Sequence, residues 1–146
     1  MIYPLDLNTF KFREFKLRNS RDAVYLISLR PDLFPCYVSA IGNNILCIGG
    51  IVKVDPGVAC MWSITGADAE LHPLAAATGL LRIWDKCKEW ALNNSIRRIQ
   101  SIAEDTPEAM RINTIAGFKY EGRMASYYGN GIDGIMMGML INGGNK

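Results

Sequence analysis

Thr106-Pro-Glu-Ala-Met-Arg-Ile-Asn-Thr-Ile-Ala-Gly-Phe-Lys-Tyr-Glu-Gly122 is the stretch that decides the fold. It reads as a short helix that stops at a glycine and runs straight into a strand. Thr106 suits the N-cap, and Pro107 suits the first helical position, where a missing N–H costs nothing. Glu108 falls in the first turn, on the favourable side of the helix dipole. Gly117 can take the left-handed conformation that closes a helix, and Phe118 then anchors the next strand.

Upstream, Arg98-Ile-Gln-Ser-Ile-Ala103 looks like a strand entering a sheet. Downstream, Lys119 to Asn142 reads as a strand pair around Tyr128-Gly-Asn-Gly-Ile-Asp-Gly134. The strongest helix is His72 to Asn93, where Leu74, Ala77, Leu81, Trp84 and Ala91 recur at helical spacing. Before it lie three strand-like runs, Cys36–Ile41, Ile45–Val54 and Val58–Thr65. The turns Gly42-Asn43-Asn44 and Asp55-Pro56-Gly57 join them into an antiparallel meander. Gly49 and Gly50 predict either a bulge or a close backbone approach within the second run. Further back, Phe10–Phe15 alternates as a first strand does, and Ser20 to Leu33 reads as a helix ended by Pro31. The order is β-α-βββ-α-β-α-ββ. This predicts an α+β chain with a largely antiparallel sheet and one parallel pair across the long helix.

The 146 residues suit a single domain, 1–146, and about half are apolar (49%), as in ordinary globular proteins. A formal charge of +2 is too little to argue by itself for nucleic acid, which is not the expected partner, although Lys11-Phe-Arg-Glu-Phe-Lys-Leu-Arg18 is locally basic. Cys36, Cys47, Cys60 and Cys87 have wide spacings and read as buried reduced thiols of a cytoplasmic protein. His72 is the only histidine, so no zinc site is expected. Every apolar run is interrupted by Gly, Asp or Lys before it can span a membrane.

The element order and the Gly117-Phe118 junction resemble the GNAT superfamily of acyl-CoA-dependent N-acetyltransferases, over nearly the whole chain. The resemblance implies acetyl-CoA as co-substrate and an amine of a protein or small molecule as acceptor. In such folds the strand before the long helix, here Trp62, Ser63, Ile64 and Thr65, offers backbone groups to the pantetheine arm. The helix opening then holds the pyrophosphate with main-chain N–H groups, in a pattern like Arg/Gln-x-x-Gly-x-Gly/Ala. Aligning on Leu80-Leu81 places His72 at the Arg/Gln position, Ala75 at the first glycine and Ala77 at the second. Ala77 is a usual substitute there; Ala75 is not. Asp68 and Glu70, just upstream, are unfavourable to phosphate unless they point away.

The second helix in this resemblance carries a pattern like Asn-x-x-Ala-x-x-Leu-Tyr-x-x-x-Gly-Phe, whose Tyr protonates the departing thiolate. Counting back from Gly117-Phe118 puts Asn113 at the Tyr position and Thr106 at the Asn position. Asn113 can donate a hydrogen bond to a thiolate but is not an acid, and Thr106 can serve the cofactor or cap its own helix. Glu104 and Asp105 are the candidate bases, and Tyr128, beside Tyr127, is the candidate acid. Two readings stand. The first is an N-acetyltransferase that departs from the motif. The second is a GNAT-like protein without turnover, resembling small acetyltransferase-like proteins of short-tailed bacteriophages, with a structural, internal-virion or host-protein-binding role. The first is preferred, because backbone contacts to CoA survive side-chain substitution.

Overall fold

Residues 1–6, 30, 32–129 and 131–141 are described in the computed structural model of the chain. Two tight turns organise the expected meander. Strand β2 (Cys36–Ile41) reverses at Gly42-Asn43 into β3 (Asn44–Asp55), and Pro56-Gly57 reverses β3 into β4 (Val58–Thr65). Gly42 and Gly57 sit at φ of 56° and 76°, a region that a Cβ makes costly, so these glycines fix where the chain turns. Ahead of the meander, β1 (Ile2–Pro4) pairs antiparallel with β2, Tyr3 opposite Val38.

A 3-10 turn (Ala67–Leu71) follows β4 and leads into helix α1 (Pro73–Asn93). Then come β5 (Arg98–Glu104), α2 (Pro107–Ala116), β6 (Lys119–Met124) and β7 (Gly134–Leu140). The strands form one seven-stranded sheet in the order β1-β2-β3-β4-β5-β7-β6. β4 and β5 are parallel, as a helical crossover between them requires, whereas β7 is antiparallel to both β5 and β6. This is the α+β architecture read from the sequence. The alternating segment Phe10–Phe15, the basic run Lys11–Arg18 and nearly all of the helix expected over Ser20–Leu33 lie outside the described residues. At the end of that span, Leu33 and Phe34 donate backbone N–H groups to the Arg30 carbonyl in a turn.

The chain divides into two compact units, Met1–Val52 with Trp62–Trp90 and Lys53–Met61 with Ala91–Lys146. Within the first, α1 buries Leu80, Ile83, Trp84 and Cys87. The stripe expected from spacing is thereby corrected: Leu74 is 81% exposed, and Leu81 is half-buried. Glycines choose the buried face. Ile83 and Leu80 lie over Gly49, where an added Cβ would be 3.0 Å from Ile83 Cγ2, and Gly79 lies directly on the Ser39 side chain. Gly50 marks a second close approach, because a Cβ there would stand 2.5 Å from the Pro35 carbonyl oxygen and 2.9 Å from the Trp62 ring. The bulge falls elsewhere. The register passes from Ser39 opposite Cys47 to Ala40 opposite Ile45, leaving Leu46 as the extra residue. Val38, Ala40, Ile45, Ile48, Trp62 and Ile64 form a buried apolar cluster.

The second unit is braced by a bulge of its own. Tyr120 pairs with Met137 and Gly122 with Met136, so Glu121 is the unpaired residue of β6. Freed from the pleat, its carboxylate crosses β7 and meets the Arg98 guanidinium of β5 through two hydrogen bonds of 2.9 and 2.6 Å. Gly138 lies beneath this pair, and a Cβ there would fall on the Glu121 carboxylate and 2.7 Å from Arg98. Phe118, 2% exposed, anchors the entry to β6 as expected.

Candidate cofactor and catalytic site

In the first unit, Trp62–Thr65 continue β4 past Met61, the last residue of β4 in register with β5. Trp62 and Ile64 turn into the apolar cluster, and Ser63 and Thr65, on the opposite face, are half-buried. Strand β4 ends where Gly66 donates its N–H to the Leu46 carbonyl at 2.9 Å. The following 3-10 turn buries Asp68 and leaves Glu70 exposed. One of the two carboxylates feared near a phosphate is therefore folded inward.

His72 is the hinge between that turn and α1. Its N–H donates to the Ala69 carbonyl at 3.1 Å, and its own carbonyl accepts the first helical hydrogen bond, from Ala76, at 2.9 Å. Pro73 then has no N–H to satisfy, and the N–H groups of Leu74 and Ala75 meet no acceptor among the described residues. The first turn of α1 carries no acidic side chain. Ala75 and Ala77 are both half-buried. What results is a helix start with open donors, small side chains and the positive end of a 21-residue dipole.

The second unit holds the expected acid–base residues together with Thr106 and Asn113. Glu104 closes β5 opposite Gly134, and Asp105 donates its N–H to the Asp133 carbonyl at 3.0 Å. The Asp133 carboxylate in turn accepts from Arg123 at 2.7 Å and from the Ser126 N–H at 2.8 Å, which holds its pKa below the ordinary value; the Ser126 bond is the leading cause. Beside it, Tyr127 and Tyr128 pack edge to face, ring centroids 5.1 Å apart, and the Tyr128 N–H donates to the Ile132 carbonyl.

Thr106 is the N-cap of α2: its hydroxyl oxygen accepts the Ala109 N–H at 3.2 Å, and Pro107 follows at the first helical position. The hydroxyl proton is not used in that bond and can still be donated. Asn113 is 2% exposed. Its amide nitrogen donates to the Ala109 carbonyl at 2.8 Å, one turn back, while its Oδ1 is buried with no hydrogen-bond partner among the described residues. One Asn113 donor is thus committed inside the helix, which leaves the second N–H for any thiolate. Gly117 adopts φ 106°, and its N–H and that of Phe118 cap the Asn113 and Thr114 carbonyls.

No cysteine competes for a catalytic role. Burial pushes the Cys36, Cys47 and Cys87 thiols up to about 12 and Cys60 to about 11, so none is a thiolate near neutrality. Among the described residues, no group of three His, Cys, Asp or Glu side chains can hold a metal ion. No helix among them is long and apolar enough to cross a membrane.

Solved acetyltransferases share the backbone arrangement of this chain. An IAA acetyltransferase from Bacillus cereus superimposes over 97% of this chain and 99% of its own, with a TM-score of 0.70 at 9% identity. The fold is that of the GNAT acetyltransferases. A spermidine N-acetyltransferase chimera from Vibrio cholerae and hSSAT matches over 96% of both chains, with a TM-score of 0.66 at 15% identity. A GNAT phosphinothricin acetyltransferase from Sinorhizobium meliloti, solved with AcCoA, matches over 83% of this chain and 68% of its own, with a TM-score of 0.63 at 10% identity. No family model and no curated protein matches the sequence. At such identities the GNAT likeness is one of backbone. Nothing in it bears on the bacteriophage resemblance.

Sequence reasoning named Ala75 but overlooked Thr78, Gly79 and Arg82 on the same face of α1. Ala75, Thr78, Gly79 and Arg82 follow one another at helical spacing and line a cleft in the first unit. The available signal was the run of small residues with a single cation, which an apolar-stripe search passes over.

Proposed function

We propose that the protein is an acyl-CoA-dependent N-acetyltransferase. The observation that carries this reading is the opening of α1 within a GNAT fold: N–H donors at Leu74 and Ala75 that meet no acceptor among the described residues, no acid in the first turn, and Asp68 buried. Such a helix start takes the pyrophosphate of acetyl-CoA through its backbone, so the absence of the usual Arg and first glycine weakens the site without removing its donors. His72 adds a phosphate contact when protonated, and the backbone of Trp62–Thr65 receives the pantetheine amides.

In the reaction the acceptor amine, once deprotonated, attacks the thioester carbonyl. The tetrahedral intermediate expels the CoA thiolate, which takes up a proton. Glu104 is the proposed base, directly or through a water, with Asp105 as its neighbour; Tyr128 is the proposed acid, and the remaining N–H of Asn113 or the Thr106 hydroxyl stabilises the thiolate. Most of the rate enhancement then comes from positioning. Spermidine and phosphinothricin, named for two of the structural neighbours, define amine classes to screen first.

Calorimetric titration with acetyl-CoA and free CoA is the test, followed by acetyl transfer to a panel of amines. Micromolar binding with turnover that Glu104→Gln reduces supports the reading. The committed amide of Asn113 favours a second one, in which the site binds without turnover. Binding without transfer to any amine selects it, in either a structural or a host-protein-binding role. Absence of binding, with an unchanged melting temperature, rejects the cofactor site itself.

A further inference from the structure

We propose that the cleft between the first half of α1 and strands β1–β3 binds a small apolar carboxylate whose charge is taken by Arg82. The cleft measures about 330 Å³ and lies wholly within the first unit. Its size falls at the small end of ligand sites, which run from about 300 to 1,000 Å³. Ala75 and Gly79 make the room on the helix side. At its floor Gly79 rests on Ser39, so the opening does not run through to the far side of the helix.

The walls are apolar, with Leu46 and Ala40 buried and Ile2 half-buried. The mouth is apolar as well. Met1, Ile41 and Leu74 surround it at 71%, 41% and 81% exposure. Three large apolar side chains held open around one concavity are a place where a hydrocarbon body gains by burial.

Arg82 fixes the headgroup. Among the described residues it is the one charged side chain of the lining and has no ion-pair partner, whereas the Met1 ammonium donates to the Ala40 carbonyl at 3.1 Å. The nearest acid along the helix, Asp85, lies beside Lys88 at 3.9 Å instead. Thr78, one turn before Arg82, places a hydroxyl on the same face. A planar guanidinium matches a carboxylate through two parallel hydrogen bonds and neutralises its single charge; a phosphate dianion would keep half of its own. The occupant is therefore a short hydrocarbon chain or ring ending in one carboxylate. The cleft shares Leu74 and Ala75 with the helix start proposed for the pyrophosphate, but Arg82 and the strand walls take no part in that site.

Octanoate is the probe, titrated calorimetrically into the full-length protein at low and at physiological salt, with octylamine and octyl phosphate as comparators. The expected result is saturable one-to-one binding of octanoate that weakens with salt and is reduced at least tenfold in Arg82→Gln. Thr78→Trp fills the cleft from an exposed helix position and should abolish binding. Unchanged melting temperatures show that both variants are folded. The proposal is overturned by failure of octanoate to saturate, by equal binding of octylamine, by indifference to Arg82→Gln, or by tighter binding of octyl phosphate.

Discussion

At the start of α2 the Thr106 hydroxyl takes the Ala109 N–H and Glu108 supplies a carboxylate to the first turn; at the start of α1 the Leu74 and Ala75 N–H groups meet no acceptor among the described residues, and the first turn has no acid. Both helices begin with proline, so the difference is not one of backbone constraint. Helix α2 carries its own cap and its own anion, and its start is complete as a local structure. Helix α1 is longer, 21 residues against 10, and its positive end meets no acceptor among the described residues. A helix start that is finished contributes stability, and one left open is available for binding.

The largest effect should come from closing the open start. Ala75→Glu puts a carboxylate where the pyrophosphate is proposed to sit, and acetyl-CoA affinity should fall at least 30-fold, about 2 kcal/mol, by calorimetry. An unchanged affinity would break the comparison, since α1 would then be no more receptive than α2. Next in size is the far end of α2. Gly117→Ala forces a Cβ into φ 106° and should cost about 1–2 kcal/mol in urea unfolding, with no effect on cofactor affinity. Thr106→Ala removes the α2 cap and should cost about 1 kcal/mol. Thr106→Ser should restore that stability. If Thr106→Ala also weakens acetyl-CoA binding more than twofold, the hydroxyl serves the cofactor as well as the helix.

The smallest effect concerns the Arg98–Glu121 pair, which is part-exposed and worth about 0.5–1 kcal/mol. Its hydrogen bond to Arg98 holds the Glu121 carboxyl below its ordinary value of 4.5. A lowered native value stabilises the fold above the unfolded pKa, and that contribution is lost as pH falls through the folded one. Melting temperatures of the native chain and Glu121→Gln should therefore differ at pH 7 and converge below about pH 4.5. A constant gap would remove the pair from the account.

Much of the comparison was visible in the residues themselves. Thr106, Pro107 and Gly117 signal their roles within a single helix, because capping chemistry is local, and the glycine turns at Gly42 and Gly57 are local too. Leu74 was misjudged because helical spacing tells which residues share a face but not which face is buried. Here the glycines at positions 49 and 79 decide that, through contacts with Ile83 and Ser39. The bulge at Glu121 was not visible for a related reason. It exists only as a register between β6 and β7, and nothing in Lys119–Met124 alone announces it. The open N–H groups of α1 were anticipated in kind, but the inward turn of Asp68 had to be seen in the folded chain.

That bulge also bears on how the protein meets its own copies. Strand β6 is the last strand of the sheet, and it presents Lys119, Glu121 and Arg123 as exposed charges. A second chain seeking to extend the sheet along β6 would have to bury those charges and match a backbone already out of step at Glu121. The same residue that ties three strands together from above thus guards their margin against edge-to-edge aggregation.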